Sequence, residues 1–133
     1  MGSKNRIFIA MISFLILHKL RNTFQSKELY ITKAKLNKIK IKHNRESHFL
    51  YHGNFQKIID NTIGICKYQY DSQIINFVAI LEDELFLYSI STTNFYVYLG
   101  TFFKTDKRKI LKQCNHEIDF LSDEKREKFE KFV

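Results

Sequence analysis

The apolar and polar positions divide this chain into an apolar start, a lysine-rich middle and a series of short apolar stretches. Residues 7–17 are apolar or small without interruption, with Lys4 and Arg6 before them and His18, Lys19 and Arg21 after. Such a run predicts a helix over residues 5–24 whose middle is apolar all round. At ~1.5 Å per residue it covers only about half of a ~30 Å hydrocarbon layer, and no small-x-small cleavage site follows it. Three readings stay open: a buried or partner-docking helix, which the polar flanks favour, a partial insertion, and a signal segment. KLNKIKIKH, residues 35–43, then alternates lysine with isoleucine and predicts a half-buried strand with Lys38, Lys40 and Lys42 on one face. Asn44 or Ser47 opens a short helix reaching Tyr51 or His52, Gly53 breaks it, Asn54 caps, and FQKIIDN forms a second one.

After Gly64 the pattern predicts strands: ICKYQY (65–70), INFVAIL (75–81), ELFLYSI (84–90) and FYVYLGTFF (95–103). The turns Glu82-Asp83 and Thr92-Thr93-Asn94 are short enough to demand antiparallel neighbours. Residues 107–115 read as a helix with Asp106 before it, and Ser122 opens the charged helix SDEKREKFEKFV. The expected fold is α+β, with N-terminal helices packed on a four-stranded antiparallel meander and a helix at the C-terminus. Its expected organisation is an apolar N-terminal helix (1–26), an α+β domain (27–114) and a charged C-terminal helix (115–133).

Composition adds a compartment and a field. Thirteen phenylalanines and seven tyrosines promise an aromatic core in a chain of 133 residues, one domain's length. Cys66 and Cys114 have no CxxC spacing, which predicts buried thiols in a reducing, cytoplasmic setting rather than a disulfide framework or zinc ribbon. Membrane association and secretion stay open through the apolar start. The net charge of +8 is concentrated in residues 1–48, where eleven Lys or Arg face two acids. Such a field attracts polyanions, nucleic acid or anionic lipid, although a generally solvated basic surface explains the same count.

The candidate chemistry gathers in HNRESHFLYH, residues 43–52. On a helix at ~100° per residue Arg45, His48 and His52 share a face while His43 projects from nearly the opposite side. No HExxH glutamate or nearby cysteine completes a metal site around the His48–His52 pair, so no metal is expected. A solvated polar helix face is the plain alternative. Glycine-rich phosphate loops, serine-hydrolase elbows and cysteine-nucleophile contexts are missing from the sequence.

KHNRESHFLYH, IIDNTIGI (58–65), the strands, and GTFFK (100–104) occur in the order found in the barnase/EndoU/colicin/RelE-like superfamily of small ribonucleases and toxins. The stretch 39–104 resembles its phage- and mobile-element-associated branches. Thr62 stands where that pattern has proline and Phe103 where it has tyrosine. The resemblance implies a metal- and cofactor-independent endoribonuclease of toxin or effector type, in which the 2′-hydroxyl attacks phosphorus. His48 and His52 would then be acid and base, with Arg45, Thr101 and Lys104 on the phosphate and Lys38, Lys40 and Lys42 on the RNA backbone. RNA is the expected partner, and an inhibitor protein or a larger assembly stays open beside it. The alternative is a noncatalytic basic subunit that binds RNA or a larger assembly, with residues 7–17 as its anchor on a partner or membrane.

Overall fold

A computed structural model describes residues 5–12, 27–67, 74–92 and 96–133 of the chain. Where a helix was expected, the chain opens with a strand, β1 (Arg6–Ile12). Ile7, Ile9 and Ile12 are β-branched and stiff at χ1, which suits a pleated surface, and β1 pairs antiparallel with β2 (Lys27–Thr32). The Gln56 amide closes β1's outer edge at one point: its Oε1 accepts from the Met11 amide at 2.8 Å and its Nε2 donates to the Met11 carbonyl at 3.0 Å. The remainder of the expected N-terminal helix, residues 13–24, lies outside the described residues.

The lysine–isoleucine stretch is likewise not a strand. It is α1 (Lys33–Lys42), entered from β2 with no loop and capped by Thr32, whose hydroxyl accepts from the Lys35 amide at 3.2 Å. Helical spacing buries Leu36 and Ile39 together and leaves Ile41 83% exposed, whereas a strand would have put Ile39 and Ile41 on one face. Residues 44–52 do not form one helix either. Ser47–Leu50 make a single 3-10 turn, tied by the Ser47 hydroxyl to the Asn44 carbonyl at 2.7 Å, and His52 lies beyond it at φ 57°. α2 (Phe55–Asp60) follows and buries Phe55, Ile58 and Ile59.

Five further strands complete the sheet: β3 (Thr62–Lys67), β4 (Ile74–Leu81), β5 (Glu84–Thr92), β6 (Val97–Thr105) and β7 (Asp119–Phe120). The sheet is seven-stranded in the order β1-β2-β6-β5-β4-β3-β7, antiparallel except for the parallel pair β2–β6. This overturns the expected four-stranded meander under N-terminal helices. β3 to β6 do lie side by side, but β1 and β2 extend the sheet at one end and β7 at the other. Helices cover both faces instead of one. The β4–β5 hairpin turns on Glu82 and Asp83, both at positive φ, as a two-residue turn of matching twist requires.

One core lies under α1, the 3-10 turn and α2, where aromatic rings interlock among a larger number of aliphatic side chains. Phe77 stacks on Tyr88 with centroids 5.0 Å apart, and Phe55 meets both Tyr88 and Phe102 edge-on. The buried Tyr88 hydroxyl donates to Thr62 Oγ1 at 2.6 Å, and Thr62 passes a hydrogen bond to the Ile58 carbonyl. Burial drives the Tyr88 phenol pKa upward against the smaller pull of that bond, so the ring stays neutral.

The second core lies under α3 (Lys107–Gln113) and α4 (Asp123–Glu130), joining Val78, Leu85, Leu87, Ile110 and Phe129. Asp106 and Ser122 cap these helices through their side chains. Lys107 holds the far end of α4 by donating to the Glu130 and Phe132 carbonyls at 3.0 Å each. Cys66 and Cys114 form a buried disulfide between β3 and the end of α3, which corrects the expectation of free thiols. Their spacing of 48 residues gave no sign of it; packing α3 onto the sheet is what brings their Cα atoms to 5.3 Å. With the thiols joined, a reducing compartment no longer follows from the cysteines.

Closing a loop with 48 residues of separation is worth about 4 kcal/mol in the chain-entropy description. Thiol titration of the native protein is therefore expected to find no free thiol, and Cys66→Ser with Cys114→Ser to lose ~2–5 kcal/mol in denaturant unfolding. Two titratable thiols at undiminished stability would contradict the bond.

Candidate functional site

A cleft of about 270 Å³ opens between α1 and the second half of β6. It exists because β2 and β6 pair only through Leu29–Val97 and Tyr30–Tyr98 before β2 becomes α1 at Thr32. Beyond Tyr98 a helix faces β6 where a strand would have been. Lys35, Lys38 and Lys42, at helical spacings of three and four, line one wall with Ile39 and His43; Gly100, Thr101 and Phe103 line the other. The His43 ring stacks on Phe103, 5.5 Å between centroids and 24° between planes.

Gly100 determines which way that second wall faces. Ser89 pairs with Thr101 and Ile90 with Leu99, so Gly100 is the extra residue of a β-bulge. Before the bulge Val97 and Leu99 enter the core under α1; after it Phe102 does, while Phe103 packs against the core under α3. The bulge thus turns Thr101 and Phe103 to the face Tyr98 occupies. A Cβ at residue 100 would approach Ser89 Oγ to 2.8 Å, which explains a glycine there. Thr101 also ends a polar row across the sheet, paired through buried Ser89 to buried Asn76, whose Nδ2 has no hydrogen-bond partner among the described residues.

The structure brings some sequence-predicted residues together and not others. Thr101, Lys38 and Lys42 line the cleft. His48, His52 and Arg45 do not: all three are exposed on the connection from α1 to α2. His48 Nδ1 donates to the Arg45 carbonyl at 2.8 Å, and its ring lies 4.1 Å from that of Phe49. Lys40 sits over the Tyr51 ring at 5.4 Å. Lys104 pairs with Glu84 at 3.2 Å, while its backbone amide donates to Glu46 Oε1 at 3.4 Å. In place of the His48–His52 pair, the cleft holds His43, which the assumed helical face had set aside, together with Lys35 and Phe103. Reading residues 33–42 as a helix would have aligned the three lysines.

Chemically the cleft offers cations for an anion, a hydroxyl donor at Thr101 and a flat His43–Phe103 surface. Among the described residues there is no cluster of three His, Cys, Asp or Glu for a metal, and no helix long and apolar enough to cross a membrane. Compared with known protein families, characterised proteins and solved structures, the chain matches none.

Replacing Gly100 by Ala is expected to cost about 1–3 kcal/mol in denaturant unfolding through overpacking on Ser89. Adding Ser89→Ala should restore most of it, since the next approach, to the Ser89 carbonyl, is at an ordinary 3.7 Å. A Gly100→Ala protein as stable as the parent would remove the constraint.

Proposed function

We propose that this protein is a small basic RNA-binding module that grips phosphates in the α1–β6 cleft. The observation that carries the reading is the alignment of Lys35, Lys38 and Lys42 along one wall, opposite the Thr101 hydroxyl. Three ammonium groups on one helix face suit a chain of phosphates, to which each adds a point charge without fixing sequence. The stacked His43–Phe103 pair adds an aromatic surface beside them, which favours a nucleotide over a bare anion.

A second reading, cleavage of the bound strand, rests on His43 alone, because it is the histidine that shares the cleft with Thr101. It takes the place of the His48–His52 mechanism, whose members stand outside that cleft.

For the binding reading, filter binding of single-stranded RNA should weaken as salt rises. Lys38→Ala with Lys42→Ala should flatten the slope of log affinity against log salt by roughly 0.7 for each phosphate left unneutralised. A double variant with the parent's affinity and slope would refute the cleft as the site. RNA fragments formed in EDTA by the parent and His48→Ala, but not by His43→Ala, would establish the second reading.

A further inference from the structure

The half of the sheet face left uncovered by α3 and α4 carries four aromatic rings. Tyr30 alternates with Leu29 and Ile31, and Tyr98 with Val97 and Leu99, all four of them buried under α1 and α2, so both tyrosines point to the opposite side. Phe8 pairs with Tyr30 across β1–β2 and is 52% exposed, while Tyr96 precedes β6 and is 36% exposed. The rings form one cluster: centroids lie 6.2 Å apart for Phe8–Tyr30, 5.8 Å for Tyr30–Tyr96, 6.4 Å for Tyr30–Tyr98 and 6.1 Å for Tyr96–Tyr98. The Arg6 guanidinium lies 3.8 Å from the Tyr96 centroid and 4.9 Å from that of Tyr30. Aromatic rings gathered in one place at a protein surface are available for contact with a ligand.

We propose that Phe8, Tyr30, Tyr96, Tyr98 and Arg6 form a base-stacking platform for single-stranded nucleic acid, continuous along β6 with the lysine cleft. This rests on the phosphate-binding reading of that cleft and adds the strandedness of its ligand. Continuity and charge choose the occupant. Tyr98 and Thr101 are three residues apart on one strand, roughly 10 Å, and the Gly100 bulge places both on the same face. A cation flanks the rings at Arg6 and three more line the cleft, which suits a polyanion with flat bases. The Glu28 carboxylate accepts from the Tyr30 hydroxyl and would repel a phosphate there, leaving the rings to bases and the lysines to the backbone. Stacking needs no hydrogen-bond code, so the platform accepts any unpaired base, whereas a duplex keeps its bases from the rings.

The test compares a labelled oligouridine, a blunt RNA duplex and inorganic polyphosphate as ligands for the full chain. Phe8→Ala, at an exposed ring whose loss leaves the fold intact, and Tyr98→Ala should each bind oligouridine roughly ten- to a hundredfold more weakly. Both should bind polyphosphate like the parent, and Tyr98→Phe should retain the parent's affinity for every ligand. The parent should prefer oligouridine to duplex. Unchanged oligouridine binding by Phe8→Ala and Tyr98→Ala, with loss in Lys38→Ala/Lys42→Ala, overturns the platform and leaves the cleft reading standing. Absence of RNA binding by the parent overturns both. A concentration-dependent dimer that Phe8→Ala abolishes assigns the face to a second copy of the chain and overturns the platform as well.

Discussion

The change from strand to helix at Thr32 is the constraint on which the lysine-lined cleft depends. Thr32 ends β2 and caps α1 with its own hydroxyl, so the parallel ladder with β6 stops after two residue pairs. A longer β2 would have covered β6 to its end and left no cleft. Because α1 continues in β2's place, its buried residues Leu36 and Ile39 secure it to the core while Lys35, Lys38 and Lys42 overhang the exposed strand. A cap of about 1 kcal/mol thereby sets the position of three charges.

The two faces of the sheet then take different roles. Aliphatic side chains and interlocking rings fill the face under α1 and α2, and Tyr88 is tolerated there because its hydroxyl finds Thr62. On the other face, the β3–β5 end is secured by the disulfide and by Lys107 at the end of α4. That leaves the β1–β2–β6 end aromatic and, among the described residues, without a helix over it. The Gly100 bulge links the two ends of β6 by switching its side-chain parity, so Tyr98, Thr101 and Phe103 look the same way.

Legibility in the sequence follows how local the determining interaction is. The apolar runs that form β4 and β5, the caps Asp106 and Ser122 and the short helix at residues 55–60 are set by neighbours in the chain, and they are readable there. KIKIK is not: two-residue alternation and helical spacing both fit so short a stretch, and only the core beneath Leu36 and Ile39 decides between them. The start of the chain misleads for a similar reason, since an apolar run suits a strand as well as a helix until β2 is known to lie beside it. The disulfide is a product of packing with no local mark, whereas the bulge has one, the glycine inside FYVYLGTFF, which a reading of that stretch as one regular strand passes over. At the site, Lys38 and Lys42 stand out by the lysine repeat, though as the face of a strand; Thr101 is reached only through the likeness of GTFFK to a family motif, and the histidines are ranked on a helical face that residues 44–52 do not form.

Ligand recognition would thus run along β6 and α1 rather than through the exposed His48–His52 segment. Backbone amide chemical-shift mapping during titration with a short single-stranded RNA distinguishes the two. The largest shifts are expected at Lys38, Lys42, His43, Gly100 and Thr101, extending to Tyr30 and Tyr98. Shifts confined to Arg45, His48 and His52, with the β6 amides unmoved, would contradict a site on β6 and α1.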